Sequence, residues 1–490
     1  MRKLSGREFF WDDSLLDWEY TTAERRLHEP TRREDALTLD KPWEGNGCGY
    51  FHIVYDDVQK KYRMYYNGLS MYRTDGSLYR LEDVRVCCVE SGDGVHWERP
   101  NLGLCEFYGN RDNNIVITCG EYGLLGIDNF YVNADRNPSP AVPGRFKAVM
   151  QYRRKNADGS TALSLASFTS DDGYRFTYFG TVTEKGYFDT LNTFLWHEAS
   201  GKYLCFIRSF HEKGTGKEYD RNSGIPLNSY VRDIRVLESA DFIHWSEPEH
   251  IRFDSENEFA LYTNCVCAYP GSSMLVGFPT RYVERPEWTP AFDELCGKDQ
   301  RLSRMKLDKR FGLAITDGLF MCSRDGKNWK RYDEAFLRPG REHPGSWVYG
   351  SCYPAVGFTG EDELNLYAYD NHWIADAPTV LYRMTLRRDG FASMRAGVCP
   401  KTVCTRPFVF EGNELEMNLR TSAYGSVRVA LRAEDGASAV SAEMFGDSVR
   451  KRVVFEGGIG HLAGKAVRME ITLCDADVYA FEFRNGTVNS

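Results

Sequence analysis

Three carboxylates stand at or just before the start of short apolar runs: Glu44 in KPWEGNG, Asp128 in GIDNFYV and Asp189 in YFDTLNTFLW. Carboxyl groups converging on one bond are the equipment for cleaving a glycosidic acetal. One, kept protonated, donates to the leaving oxygen; another, ionised, works across the sugar ring as base or nucleophile. Crowding them in a low-dielectric cleft raises one pKa and so supplies a protonated acid near neutrality. Asp40 is a second candidate beside Glu44, and Glu258 (ENEFALYTN) and Glu342 (GREHPGSW) are alternatives to Asp189. Any one of these also reads as a strand-end residue bonded to the backbone. One acid at the corresponding place in three successive units is harder to explain that way.

Basic and aromatic residues lie around these acids. Arg208 and His211 share CFIRSFH, and Arg232 and Arg235 share YVRDIRVLES. A guanidinium here could hold a carboxylate or a sugar hydroxyl, and such a cluster could also hold phosphate; ordinary salt bridges use the same residues. Trp43, Tyr262, Trp347 and Tyr349 fall near the starts of apolar runs. They could stack on a sugar ring or fill a core. No EF-hand loop and no zinc-type Cys/His spacing is present, so neither a metal nor a cofactor is expected.

The elements that must position these residues are strands. Aromatic and β-branched runs such as YFHIVYDD, KYRMYYNG, VRVCCVES and LNLYAYDN are broken by Gly, Asp, Asn and Pro, and long segments of helical period are missing. A repeat sets their architecture. SGDGVHW (91–97) recurs as SDDGYRF, SADFIHW and SRDGKNW, with a fainter RRDGFAS. The turn aspartates Asp93, Asp172, Asp241, Asp325 and Asp389 are 79, 69, 84 and 64 residues apart. That spacing suits a four-stranded blade, with the turn between its outer strands. The expected fold is all-β: a five-bladed β-propeller over residues 1–400, carrying the catalytic residues, then a β-sandwich over 401–490. The first 40 residues either complete a blade or clasp the sandwich.

Composition narrows the partners. A net charge of −9 and a pI near 5.7 argue against nucleic acid. No run approaches the roughly 20 apolar residues of a membrane helix, and the N-terminal stretch lacks an apolar segment of signal-peptide length. The fourteen cysteines form no CxxC pair, and several sit in apolar runs such as YLCFI and VRVCCV. They read as reduced, buried thiols. Together these features predict a cytoplasmic protein with a carbohydrate substrate, no nucleic-acid partner and no membrane contact, its homo-oligomeric state open.

A five-bladed propeller followed by a β-sandwich resembles the glycoside hydrolases of families 32 and 68, and the propeller alone resembles families 43 and 62. More specifically, DKPWEGNG, ESGDGVHWERPNLGLCEFYGNRDNNIVI and LAGKAVRMEITLCDADVYAFEF resemble a bacterial group described as family-32-like, over nearly the whole chain. The resemblance implies a nucleophile or base on blade one, a transition-state stabiliser on blade two and a general acid on blade three. Carried over, these are Glu44, Asp128 and Asp189. Asp128 matches the Asp of an Arg-Asp-Pro motif in which Ile127 and Asn129 replace Arg and Pro, and the family's Asn-Asp-Pro-Asn-Gly stretch is absent from blade one. The implied activity is hydrolysis of a small glycoside or oligosaccharide, by analogy a fructosyl or arabinosyl furanoside. Two alternatives remain. A phosphorylase like those of family 130 would use Arg208, His211, Arg232 and Arg235 for phosphate. A non-catalytic carbohydrate-binding propeller would use the same funnel without turnover.

Overall fold

The computed structural model describes residues 2–4, 6–74, 78–81, 84–119, 127–155, 158–219, 229–374 and 377–486. Five sheets succeed one another along the chain. The first contains Gly49–Asp56, Lys61–Gly68, Arg85–Ser91 and Ile115–Thr118; the second Ile127–Ala134, Phe146–Lys155, Thr161–Ser170 and Thr177–Thr183; the third Thr193–His197, Lys202–Glu212, Tyr230–Ser239 and Glu249–His250. The fourth is built on Cys267–Ala268, Leu275–Gly277 with Thr280–Glu284, Ala314–Ser323 and Asn328–Leu337. The first strands touch in succession from the first sheet to the fourth, and Tyr353–Pro354 of the fifth sheet returns to Gly49–Asp56. They are therefore the inner strands of a closed ring, a five-bladed propeller.

The ring closes with a strand from the other end of the chain. The fifth sheet runs Tyr353–Pro354, Glu363–Asp370, Thr379–Arg387 and then Thr31–Leu39, which pairs antiparallel with Thr379–Arg387. Blade four carries an insertion between Glu284 and Ala314 with three short helices, Pro290–Glu294, Lys298–Met305 and Arg310–Leu313.

The repeated turn is a latch between blades. In the first copy the Asp93 Oδ1 accepts from the backbone N–H groups of Val95 and His96, and the Ser91 hydroxyl accepts from Gly94. The same pattern is built on Ser170/Asp172, Ser239/Asp241 and Ser323/Asp325. Each turn docks on the blade before it. The Gly94 carbonyl accepts from the Thr359 hydroxyl of blade five at 2.7 Å, and the Trp97 indole donates to Tyr367 of the same blade. The Gly173 carbonyl accepts from Tyr65 of blade one at 2.7 Å. Phe242 packs on Lys147 of blade two, and Gly326 abuts Leu204 and Phe206 of blade three. The faint fifth copy docks too: Tyr269 of blade four donates to Asp389 at 2.9 Å.

The second unit is one hydrogen-bonded sheet folded into two layers around Leu415, Met417, Val427, Val429, Met469 and Ile471. Its spine is the pair Glu414–Ala433 and Ala466–Arg484, whose register breaks between Thr421 and Ser426, where the long strands bend. The boundary expected at residue 400 is displaced. Ala392–Ala396 already pairs in this sheet, together with Arg2–Lys3, Arg7–Phe9 and Glu24–Leu27 from the N-terminus. The first forty residues thus do both things expected of them as alternatives. The N-terminal pairings join strands hundreds of residues apart, and no local pattern encodes them.

Candidate active site

Asp128 is the second residue of the inner strand of blade two. Ile127 and Asp128 pair with Tyr152 and Gln151, the register then shifts before Tyr131, and Asn129 sits in the left-handed region at φ 56°. Such a bulge re-aims the neighbouring side chain. The Asp128 Oδ1 accepts a hydrogen bond from the Asn67 amide at 3.0 Å. Burial pushes its carboxyl up to about 6, and the opposing pull of Arg153, of hydrogen bonds from Asn129 and Asn67, and of Arg208 is too weak to restore the ordinary value.

Blade three supplies the cationic side. Its second strand, Lys202–Glu212, places Arg208 in the interior, where burial lowers its pKa and it forms an ion pair with Asp189. Asp189 itself remains 53% exposed. The Arg208 guanidinium lies 5.0 Å from the centre of the Tyr262 ring. Arg232, on the next strand, lies 5.6 Å from the same ring, 4.3 Å from that of Tyr282 and 5.7 Å from that of Phe210. The Tyr262 hydroxyl accepts from Tyr349 at 3.2 Å and is 3.4 Å from that of Tyr50. Burial raises the pKa of Tyr50, Tyr349 and Tyr353. For Tyr262 burial acts in the same direction, but Arg208, the two neighbouring hydroxyls and Arg232 outweigh it and the net shift is downward. Asp128 also acts electrostatically on Tyr50, which ties the acid to this tyrosine cluster.

Of the residues singled out in the sequence, Asp128, Asp189, Arg208, Arg232 and Tyr262 therefore converge, with Tyr349. The others do not. Glu44 is fully buried with both oxygens occupied: Oε1 accepts from Tyr66 at 2.6 Å and Arg99 at 2.8 Å, Oε2 from Arg99 at 2.9 Å and the Lys41 N–H at 3.0 Å. A carboxylate so engaged pins a loop and has no lone pair directed at a substrate. Asp40 is exposed beside Lys41. The Trp43 indole donates to Asn114 at 2.6 Å, and that of Trp347 donates to the Gly340 carbonyl at 2.9 Å.

The four basic residues of blade three divide by strand alternation. Phe210 pairs with Arg232 and Arg208 with Ile234, whereas His211 pairs with Val231 and Ile207 with Arg235. Arg208 and Arg232 thus share one face, His211 and Arg235 the other. On that second face His211 bridges Asp233 at 2.9 Å and Glu258 at 3.0 Å, and these carboxylates raise its pKa. Glu258 is an ion-pair partner there, not an acid of the funnel. Among the described residues His211, Asp233 and His250 form the one cluster with metal-ligand composition. Arg235 already holds Asp233 through two contacts of 3.1 Å, and its charge opposes a cation.

Asn67, Tyr50, Tyr282 and Arg310 belong to the site and were not singled out in the sequence. Asn67 is the penultimate residue of the second strand of blade one, in YYNG. Attention to the starts of first strands passes over such a position, although adjacent antiparallel strands deliver residues to the same end.

No family model and no curated protein matches this chain. Solved structures do match it. An exo-inulinase from Aspergillus awamori is 10% identical, with 92% of this chain and 100% of that chain covered at a TM-score of 0.37. A family-32 β-fructofuranosidase from Bombyx mori is 10% identical, with 96% and 95% covered at a TM-score of 0.37. A β-1,2-mannobiose phosphorylase from Listeria innocua is 12% identical, with 73% and 96% covered at a TM-score of 0.40. These are proteins the chain is similar to in fold; the propeller itself is defined by its five sheets.

Proposed function

We propose that the protein is a glycoside hydrolase acting on a small glycoside or oligosaccharide, with Asp128 as general acid and Asp189 as the ionised carboxylate. The half-buried Asp128 carboxyl, raised to about 6 beside Asn67 and the tyrosine cluster, carries this reading. Its protonated form can donate to a leaving oxygen. Asp189, beside Arg208 and open to solvent, suits a base that activates water. This allocation departs from the roles implied by family resemblance, which made Glu44 the base or nucleophile, Asp128 the transition-state stabiliser and Asp189 the acid, because partial burial favours a neutral acid on blade two while an arginine favours an anion on blade three. Phosphorolysis draws less support, since His211 and Arg235 lie on the other face of their blade.

The test is turnover of a panel of sucrose, fructo- and manno-oligosaccharides and 4-nitrophenyl arabinofuranosides, with and without phosphate. Turnover without phosphate is expected. Asp128→Asn should lower kcat by about 10²–10⁴-fold. The wild-type rate should fall as pH rises through about 6, where Asp128 loses its proton. Strict phosphate dependence, or an Asp128→Asn enzyme of undiminished activity, refutes the proposal.

A further inference from the structure

Three guanidinium groups surround the Tyr262–Tyr282 pair, and two of them are balanced. Arg208 is paired with Asp189, and Arg310, from the third helix of the blade-four insertion, with Asp308 at 3.0 Å. Arg310 stacks on Phe311 at 4.8 Å and interacts electrostatically with Tyr282, Tyr349 and Tyr262. Arg232 has no carboxylate partner among the described residues; the exposed Glu284, which acts on Tyr282, makes no ion pair with it. Its half-buried guanidinium is held by three aromatic rings instead, and its Nε, like those of Arg208 and Arg310, has no acceptor. Desolvated guanidinium donors without an acceptor are costly, and a neutral sugar hydroxyl would leave the charge unmatched.

From this imbalance we infer that Arg232, with Arg208 beside it, receives a carboxylate carried by the substrate, so that the sugar cleaved is a uronic or ulosonic acid. A planar carboxylate matches the guanidinium fork. Phosphate oxyanions would present the same chemistry, but with about −1.5 to −2 charges on a phosphate group near neutrality they would overshoot the balance beside Asp189 and Asp128. This inference rests on the glycoside-hydrolase reading and narrows its substrate.

Calorimetric titration of the full-length protein tests it. The ligands are D-glucuronate, D-galacturonate and N-acetylneuraminate, beside glucose, galactose and inorganic phosphate. At least one acidic sugar should bind wild type, with neutral sugars at least about tenfold weaker. Arg232→Gln should weaken that acidic sugar by about tenfold to a hundredfold, and Arg232→Lys, which keeps the charge but loses the fork, by less. If Arg232→Gln melts early, Arg232→Lys and the salt dependence of wild-type binding decide. The inference is overturned if no acidic sugar binds, if a neutral counterpart binds equally well, if Arg232→Gln leaves binding unchanged, or if phosphate alone binds. Turnover of a neutral glycoside that depends on Asp128, without uronate binding, would remove the carboxylate and keep the hydrolase. Arg232-dependent uronate binding without turnover of any of its glycosides would do the reverse.

Discussion

At the residue scale the two acids of blades one and two differ in what surrounds them. Asp128 is half-buried, accepts from the Asn67 amide and the Asn129 backbone, and has no ion pair among the described residues, so folding favours its neutral form. The stability it supports is fully present below the ordinary carboxylate value of 3.8 and is lost as pH rises through about 6. Replacing it with Asn should therefore raise the melting temperature at pH 7.5 by the equivalent of about 2–3 kcal/mol, with the gain vanishing near pH 4. A melting series of the variant and wild type across that range checks this; a constant difference would contradict it. Such a gain on removing a side chain marks a functional group. Glu44 should behave in the opposite way. Glu44→Gln leaves Arg99 without its bidentate partner and should cost about 3 kcal/mol, read as a lower denaturation midpoint. The protein that remains folded should keep its kcat.

At the element scale the Ser-x-Asp-Gly turn connects a local pattern to ring closure. Gly94 has φ 72°, and a Cβ there would collide with the Thr359 side chain on blade five. Gly94→Ala should destabilise the protein by about 1–3 kcal/mol through backbone strain alone, with further loss from the displaced blade contact. Chemical denaturation measures the loss, and the KM of the folded fraction should stay unchanged because the turn lies at the outer strands. The repeat and its turn chemistry were legible in the sequence, as was the blade count, because Asp and Gly at fixed offsets encode a local backbone path. Their docking on the preceding blade was not legible, since the partner residues, Thr359 for Gly94 and Tyr65 for Gly173, follow no pattern tied to the turn.

At the scale of the whole molecule the propeller and the C-terminal sheet are sewn together by the N-terminus. Trp11 is fully buried, stacks on Phe9, meets Tyr269, Phe320 and Phe391 edge-on, and donates to the Asp389 carbonyl at 3.0 Å. Arg7 forms an ion pair with Asp389, and Asn418 of the second unit donates to the same carboxylate at 3.0 Å. One calorimetric transition is expected for both units. Trp11→Ala, costing about 3–5 kcal/mol, should lower that transition as a whole; two separated transitions in wild type would show that the units unfold independently.

By itself the sequence determined the strand content, the five-fold repeat and the identities of Asp128, Asp189, Arg208, Arg232 and Tyr262 as residues able to do chemistry. Those features are local: alternation, turn residues and acids beside strand starts. Only the tertiary structure decided which candidates meet. Glu44 and Asp128 occupy comparable places in the sequence, yet Tyr66 and Arg99 close over one while the other is left half-buried with no cation bonded to it among the described residues. Arg232 and Arg235, three residues apart on one strand, were separated by the two-residue period onto opposite faces. Burial and charge balance depend on neighbours brought from other blades, and it is these neighbours that set the protonation of Asp128 and leave Arg232 uncompensated.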